Sequence, residues 1–299
     1  MISMPAPSSE TTVTTADGLS LHVEHFLPDS PPTGALVIVH GFSTHVDPYR
    51  HVAGAAAGAG LATTLFDCRG HGRSQGRRGH VDRFSDFVAY LDLVVARVRE
   101  HWPALPLSLA GHSHGALVSL AYLLGGDPGA ERLAGRPTQP AQGSVRSLAL
   151  VAPFFDLRLK VPAIKRALAG PLGRLWPTLA MGNGIQGSEI SRTPEVQAGF
   201  YTDPLIHHVA TPRWFNEVRA TQAWARAAAR ELKTPTLILM AGEDRLVSNE
   251  ATLAFAQAAG AIAEMKRYDN LFHEMFLEPE HQQVIADLVR WTIEKQRGQ

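Results

Sequence analysis

The chain has 299 residues, 45% of them apolar and 19% charged, enough for one large domain or two small ones. Its 28 lysines and arginines balance 28 aspartates and glutamates, which removes the electrostatic motive for binding nucleic acid. The single cysteine, Cys68, excludes an internal disulfide, and no run of about 18 apolar residues offers a membrane span.

The first 15 residues are polar and lack the cationic start and apolar block of a secretory signal, so a cytoplasmic location is expected. Leu19 to Phe26 alternates apolar and polar residues, as an antiparallel strand does. Ala35 to Val39 is continuously apolar between Gly34 and Gly41, which predicts a strand buried on both faces. Similar runs follow at Leu61 to Phe66, Pro106 to Ala110, Ser147 to Val151 and Thr236 to Met240, with a last strand at Glu264 to Tyr268. Between them, Phe84, Phe87, Val88, Leu91, Val94, Val95 and Val98 recur on one helical face. Further helices are predicted over Ala116 to Leu124, over Ala251 to Ala259 and around Val284, Leu288 and Trp291.

Buried strands alternating with helices predict an α/β fold, a mainly parallel sheet flanked by helices. An eight-fold barrel fits poorly, because the first strand alternates and the middle of the chain is irregular. Gly125 to Ser144 reads as a surface excursion. Residues 154–231, punctuated by Pro162, Pro171, Pro177, Pro194, Pro204 and Pro212, read as a mostly helical cap inserted into a core of residues 1–153 and 232–299.

Gly111-His-Ser-His-Gly115 fits G-x-S-x-G and stands between a buried strand and a helix. In that frame the glycines permit a strained turn that exposes the Ser113 hydroxyl at the end of the sheet. A serine hydroxyl needs a base to take its proton. Of 14 histidines, His273 lies in a loop after the last strand, at the carboxyl end of the sheet. Asp244 follows the Thr236 to Met240 strand and is the candidate acceptor for the base's other ring nitrogen, with Glu243 its neighbouring competitor. The chain order Ser113, Asp244, His273 is that of α/β-hydrolases and of neither the trypsin-like nor the subtilisin-like order. The backbone N–H groups of Phe42 and His114 are the candidate oxyanion donors. His40, Gly41 and Phe42 are the candidate substrate-contacting residues.

These residues resemble the monoacylglycerol lipase and lysophospholipase group of α/β-hydrolases over nearly the whole chain. His40-Gly-Phe-Ser-Thr-His45 with Tyr49 is similar to its H-G-x-x-E-H segment. Asp67-Cys-Arg-Gly-His-Gly-Arg-Ser74, with Gly76 and Arg78-Gly-His-Val81, is similar to its D-x-R-G-H-G-x-S-x-G-x-R-G-H-V segment. Thr202-Asp-Pro-Leu205 and Pro235 to Val247 also fit. The resemblance implies release of one acyl chain from a glycerol or glycerophospho head group, without a cofactor, under a lid over an acyl channel. Thr44, Cys68, His114 and Ala116 stand where the family usually has Glu, His, Met and Gly, which bears on the substrate and not on the reaction type.

Leu157 to Ser188 has no acidic residue and carries Arg158, Lys160, Lys165, Arg166 and Arg174 among apolar side chains. One reading is a cap surface making transient contact with anionic lipid. The other is a helix packed on the core with solvated basic residues outside, which Gly170, Pro171 and Gly173 favour by interrupting a long amphipathic face. The pairs His112/His114 and His207/His208 lack carboxylates at ligand spacing, so no metal is expected. Cys68 reads as a small buried residue and not a reactive thiol. A general esterase for short soluble esters and a non-catalytic ligand receptor are the competing functions. The intact serine, aspartate and histidine set argues against the receptor, and a dehalogenase would carry a carboxylate in place of Ser113. The sequence points to no oligomeric state.

Overall fold

The computed structural model describes residues 2–125, 144–159 and 163–298, with residues 163–168 described by their backbone alone. Strands β1 (Ser9–Thr14) and β2 (Ser20–Phe26) form a hairpin, followed by β3 (Gly34–Val39), helix α1 (Arg50–Gly58) and β4 (Leu61–Phe66). Helix α2 (Phe84–His101), β5 (Leu107–His112), α3 (His114–Leu124) and β6 (Ser147–Val151) complete the first half. After an excursion, β9 (Thr236–Ala241), α8 (Asn249–Ala259), β10 (Ala263–Tyr268) and α9 (His281–Gln296) close the chain. The excursion carries α4 (Ala163–Leu175), β7 (Met181–Gly182), α5 (Gly187–Ile190), α6 (Pro194–Thr202), β8 (Val209–Ala210) and α7 (Pro212–Ala227).

The eight sheet strands run in the order β1-β2-β4-β3-β5-β6-β9-β10. β1, β2 and β4 pair antiparallel and every other pair is parallel. The apolar runs are apolar throughout because both faces of the sheet are covered. Along β3, Ala35, Val37 and Val39 enter the core on the side of α2 and α3, while Leu36 and Ile38 enter the core beneath α1 and α9, the period-two alternation of a strand.

Four elements differ from the sequence expectation. β1 is added outside β2 and buries only Val13, so its sequence carries no hydrophobic pattern to read. α1 is built of alanine and glycine around Val52, and its packing comes from Ala53 and Ala56 lying close against the sheet. β7 and β8 are two residues each and pair antiparallel, too short for any periodicity. The Gly125 to Ser144 excursion lies, apart from its two end residues, outside the described residues.

Between β6 and β9 the chain leaves the sheet and crosses its carboxyl end. α7 packs against α3, α2 and α4. It begins at Thr211, whose hydroxyl accepts from the Trp214 N–H at 3.3 Å and is 2.9 Å from His80 Nδ1, so one N-cap also ties the excursion to the core. Among the described residues no helix is long and apolar enough to cross a membrane.

Candidate active site

β5 runs two residues beyond the apolar stretch, through His112, and α3 begins at once at His114. Ser113 between them is left at φ 52°, ψ −114°, a strained conformation for a residue with a Cβ. The flanking glycines are dictated by space. A Cβ on Gly111 would come within 2.4 Å of the Gly115 carbonyl oxygen, and one on Gly115 within 2.2 Å of the Val39 carbonyl oxygen. Only hydrogen at both positions lets α3 start this close to β3 and β5. The positive end of α3 therefore points at Ser113.

Asp244 is fully buried after β9, while Glu243 beside it is exposed. One Asp244 oxygen, Oδ1, accepts the N–H groups of Leu246 and Val247 at 2.9 Å each. The other, Oδ2, accepts from His273 Nδ1 at 2.8 Å. That bond leaves His273 Nε2 as the free, basic nitrogen. Burial alone would lower the His273 pKa, but the charge of Asp244, its hydrogen bond and the charge of Glu274 together raise it above the usual value. Ser113 and His273 line the same cavity, of about 1960 Å³.

Of the candidate oxyanion donors, His114 N–H lies in the first turn of α3, where no intrahelical acceptor exists. Phe42 follows β3 in a loop that turns through Ser43 at φ 71°. Three hydrogen bonds hold that loop to the excursion. His207 N–H donates to the Ser43 carbonyl at 3.1 Å, Asn183 Nδ2 donates to the Ser43 hydroxyl at 2.9 Å, and His45 Nε2 lies 2.9 Å from Asp203. The Phe42 ring stacks on Trp214 of α7 with centroids 3.9 Å apart.

Gly41 and Phe42 line the cavity, whereas His40 does not. Both His40 ring nitrogens are spent on the backbone: Nδ1 donates to the Gly41 carbonyl at 2.7 Å and Nε2 accepts the Cys68 N–H at 2.9 Å. Burial drives its pKa down to about 3, so it stays neutral and ties the two loops together. The Asp67 to Ser74 segment likewise builds scaffold. Buried Asp67 accepts the N–H groups of Val46 and Arg73, and a Cβ on Gly72 would strike its carboxylate at 2.2 Å. Cys68 is buried away from the cavity, with its thiol pKa pushed upward by burial. The His114 ring packs among Phe42, Phe84, Phe87 and Trp214.

Two residues given no role from the sequence organise this centre. Tyr49 accepts the Gly41 N–H at 3.2 Å and places its hydroxyl 2.8 Å from His112 Nδ1. His112 Nε2 in turn donates to the His273 carbonyl at 3.0 Å. The Phe42 loop, the strand before Ser113 and the His273 loop are thus connected through two buried side chains. Tyr49 already stood in the matched H-G-x-x-E-H stretch; His112 had its place next to Ser113 as the only signal. Both His112 nitrogens are engaged by the protein, which removes it as a metal ligand. Among the described residues the one cluster with three metal-type donors, Glu10, His22 and Glu24, sits on β1 and β2, where Arg50 already grips Glu24.

A mainly parallel sheet with a strained serine at a strand-to-helix turn, and a histidine and buried aspartate delivered by later strand ends, defines an α/β-hydrolase. The family model described as serine aminopeptidase, S33, matches residues 30–280. A monoacylglycerol lipase of Mycolicibacterium smegmatis is 31% identical over 288 residues, covering 95% of this chain and 97% of that one. A phospholipase of Bacillus subtilis is 26% identical, over 85% and 92% of the two chains. The solved structure of a Paleococcus ferrophilus monoacylglycerol lipase superposes with a TM-score of 0.80 at 24% identity, over 92% of this chain and 99% of that one. The chain belongs to this serine hydrolase family of the α/β-hydrolase fold, in the group that contains the monoacylglycerol lipases.

Proposed function

We propose that the protein releases a fatty acid from a single-acyl glycerolipid, a monoacylglycerol or a lysophospholipid, through an acyl-enzyme on Ser113. His273 takes the Ser113 proton as the hydroxyl attacks the ester carbonyl, and Asp244 holds the imidazole in the productive tautomer and balances its charge. The N–H groups of Phe42 and His114 receive the oxyanion. His273 then protonates the departing alcohol and activates the water that releases the acid. No metal or cofactor enters these steps.

The observation that carries this reading is the strained Ser113 facing a cavity shared with an Asp244-bonded His273. Residues 154–231 are proposed as a cap over the core of residues 1–153 and 232–299. They give the cavity an apolar wall that includes Leu157, Ile185, Ile190, Phe200, Ile206 and Phe215, suited to an acyl chain. The named activities of the relatives support the same substrate class.

Transient contact of the cap with a lipid surface is part of the proposal. Its support is Leu175 and Trp176 at the end of α4, 85% and 61% exposed, beside exposed Arg174. Of the other basic residues, Arg158 donates to the Asp244 carbonyl. Lys160 and the side chains of Lys165 and Arg166 lie outside the described residues. The buried lone cysteine is compatible with the cytoplasmic location proposed for it.

The test is fatty-acid release from monoacylglycerols of graded chain length, with a lysophospholipid and a short soluble ester alongside, comparing wild type with Ser113→Ala. Turnover that peaks on medium or long acyl chains and disappears in Ser113→Ala, with thermal unfolding unchanged, is the expected result. Activity confined to the short ester replaces the lipid assignment with a general esterase. Activity retained by Ser113→Ala removes the mechanism.

A further inference from the structure

Glu274 follows His273 directly and lines the cavity with it. Its backbone N–H donates to the Ile190 carbonyl at 2.8 Å, which pins the residue between the His273 loop and the end of α5. Its side chain is only 13% exposed. Among the described residues no lysine or arginine lies in ion-pair range of its carboxylate, and no hydrogen-bond donor reaches it. The nearest candidate, His112 Nδ1, is 3.9 Å away and faces the Tyr49 hydroxyl instead.

The other carboxylates of the cavity are provided for. Asp47 pairs with Arg73 and Arg50, Asp203 with His45, Glu278 with Arg192 and Ser191, and Glu294 with Arg290. Glu195 is exposed to water. Among the described residues Glu274 is thus a largely buried, cavity-lining carboxylate, next to His273 in the chain, with no protein donor in hydrogen-bond range of its oxygens. Such a group is costly to leave unsatisfied and calls for donors that come and go with the ligand. Among the described residues, the arginines that line the cavity are Arg290 on α9 and Arg297 just past its end, and no lysine lines it.

We propose that Glu274 is the specificity-determining contact for the head group, accepting hydrogen bonds from the free hydroxyls of an uncharged polyol ester and repelling head groups that carry a phosphate. This rests on the function proposed above and narrows its two substrate classes to the neutral one. The Glu274 carboxylate is an acceptor only, so it rewards hydroxyl donors. A phosphate brought against it presents like charge, with no lysine or arginine among the described residues of the serine or histidine loops lining the cavity to offset it.

The experiment compares kcat/KM on three esters of one fatty acid: the 1-monoacylglycerol, the methyl ester and the lysophosphatidylglycerol. Wild type is set against Glu274→Gln and Glu274→Met, with thermal unfolding followed for each. Ratios are read because removing a charge next to His273 also moves the absolute rates. Glu274→Met is expected to lower the monoacylglycerol to methyl ester ratio by about 10-fold or more, as loss of a hydrogen bond to a charged acceptor does. Glu274→Gln is expected to raise the lysophosphatidylglycerol to monoacylglycerol ratio by about 10-fold, because the repulsion is gone. The proposal needs both shifts, and a variant that folds with its ratio unmoved overturns it. Should Glu274→Met fail to fold, the near-isosteric Gln variant still decides the charge effect. A wild type inactive on the monoacylglycerol but active on the methyl ester defeats the function proposal instead, before any variant is compared.

Discussion

The imidazole of His273 sits under three opposed influences whose sum has consequences for pH. Burial disfavours its protonated form, while the Asp244 charge and hydrogen bond and the Glu274 charge favour it and prevail. The base must be neutral to accept the Ser113 proton, so kcat/KM is expected to climb with pH through an apparent pKa above about 6.5, the unperturbed histidine value. Glu274→Gln removes one of the raising charges and moves that limb to lower pH. A pH–rate series on a soluble ester checks both, and a wild-type profile flat between about pH 5 and 8 counts against His273 as the base. Stability runs the opposite way. A histidine whose pKa is raised on folding adds stability that is complete below the unfolded pKa and lost as pH rises through the folded one. The form poised for catalysis is therefore the one this pair stabilises less.

At the scale of elements, the segment between α5 and α6 and the loop before α9 meet on one buried carboxylate. Glu278 accepts from the Ser191 hydroxyl at 2.6 Å, from Arg192 N–H and Nε at 2.8 and 2.5 Å, and from Phe272 N–H at 3.2 Å. Phe272 precedes His273, so the bond that docks the excursion also fixes the backbone of the proposed base. Glu278→Ala strands all these donors and leaves Arg192 without its buried partner. The expected cost is about 3–5 kcal/mol, a fall in Tm on the order of 10 °C for a chain of this size, together with reduced kcat. Calorimetry and single-turnover kinetics read the two effects, and an unaltered Tm would show that the docking does not depend on Glu278. The same scale explains the elements the sequence did not reveal. β1 leans on a neighbour for its hydrogen bonds and α1 on close approach to the sheet, and neither writes a period of 2 or 3.6 into its residues.

For the molecule as a whole, a formal charge of zero supplies no long-range attraction to a membrane. Any contact must come from local apolar burial, and Leu175 and Trp176 are the most exposed large apolar side chains among the described residues. Replacing both with serine is expected to weaken binding to anionic vesicles by about 10–100-fold, the loss of one or two buried apolar side chains. Vesicle flotation measures this, and equal binding by the variant would confine the cap to covering the cavity.

Determined by the sequence alone were the features whose causes are local. Continuous apolar runs mark strands buried on both faces, and glycines on either side of Ser113 mark a turn only they can make. The order of serine, aspartate and histidine along the chain, each after a strand, carries the class. The tertiary structure alone decided which side chains meet across long separations. Tyr49 and His112 are 63 positions apart, and His112 and the His273 carbonyl 161 apart. His40 was legible as part of a motif, yet only the folded backbone consumes both its nitrogens and turns it from substrate contact to scaffold. Whether a carboxylate has hydrogen-bond donors likewise depends on packing, which among the described residues separates Glu278, with several, from Glu274, with none in range, though they stand four residues apart in one loop.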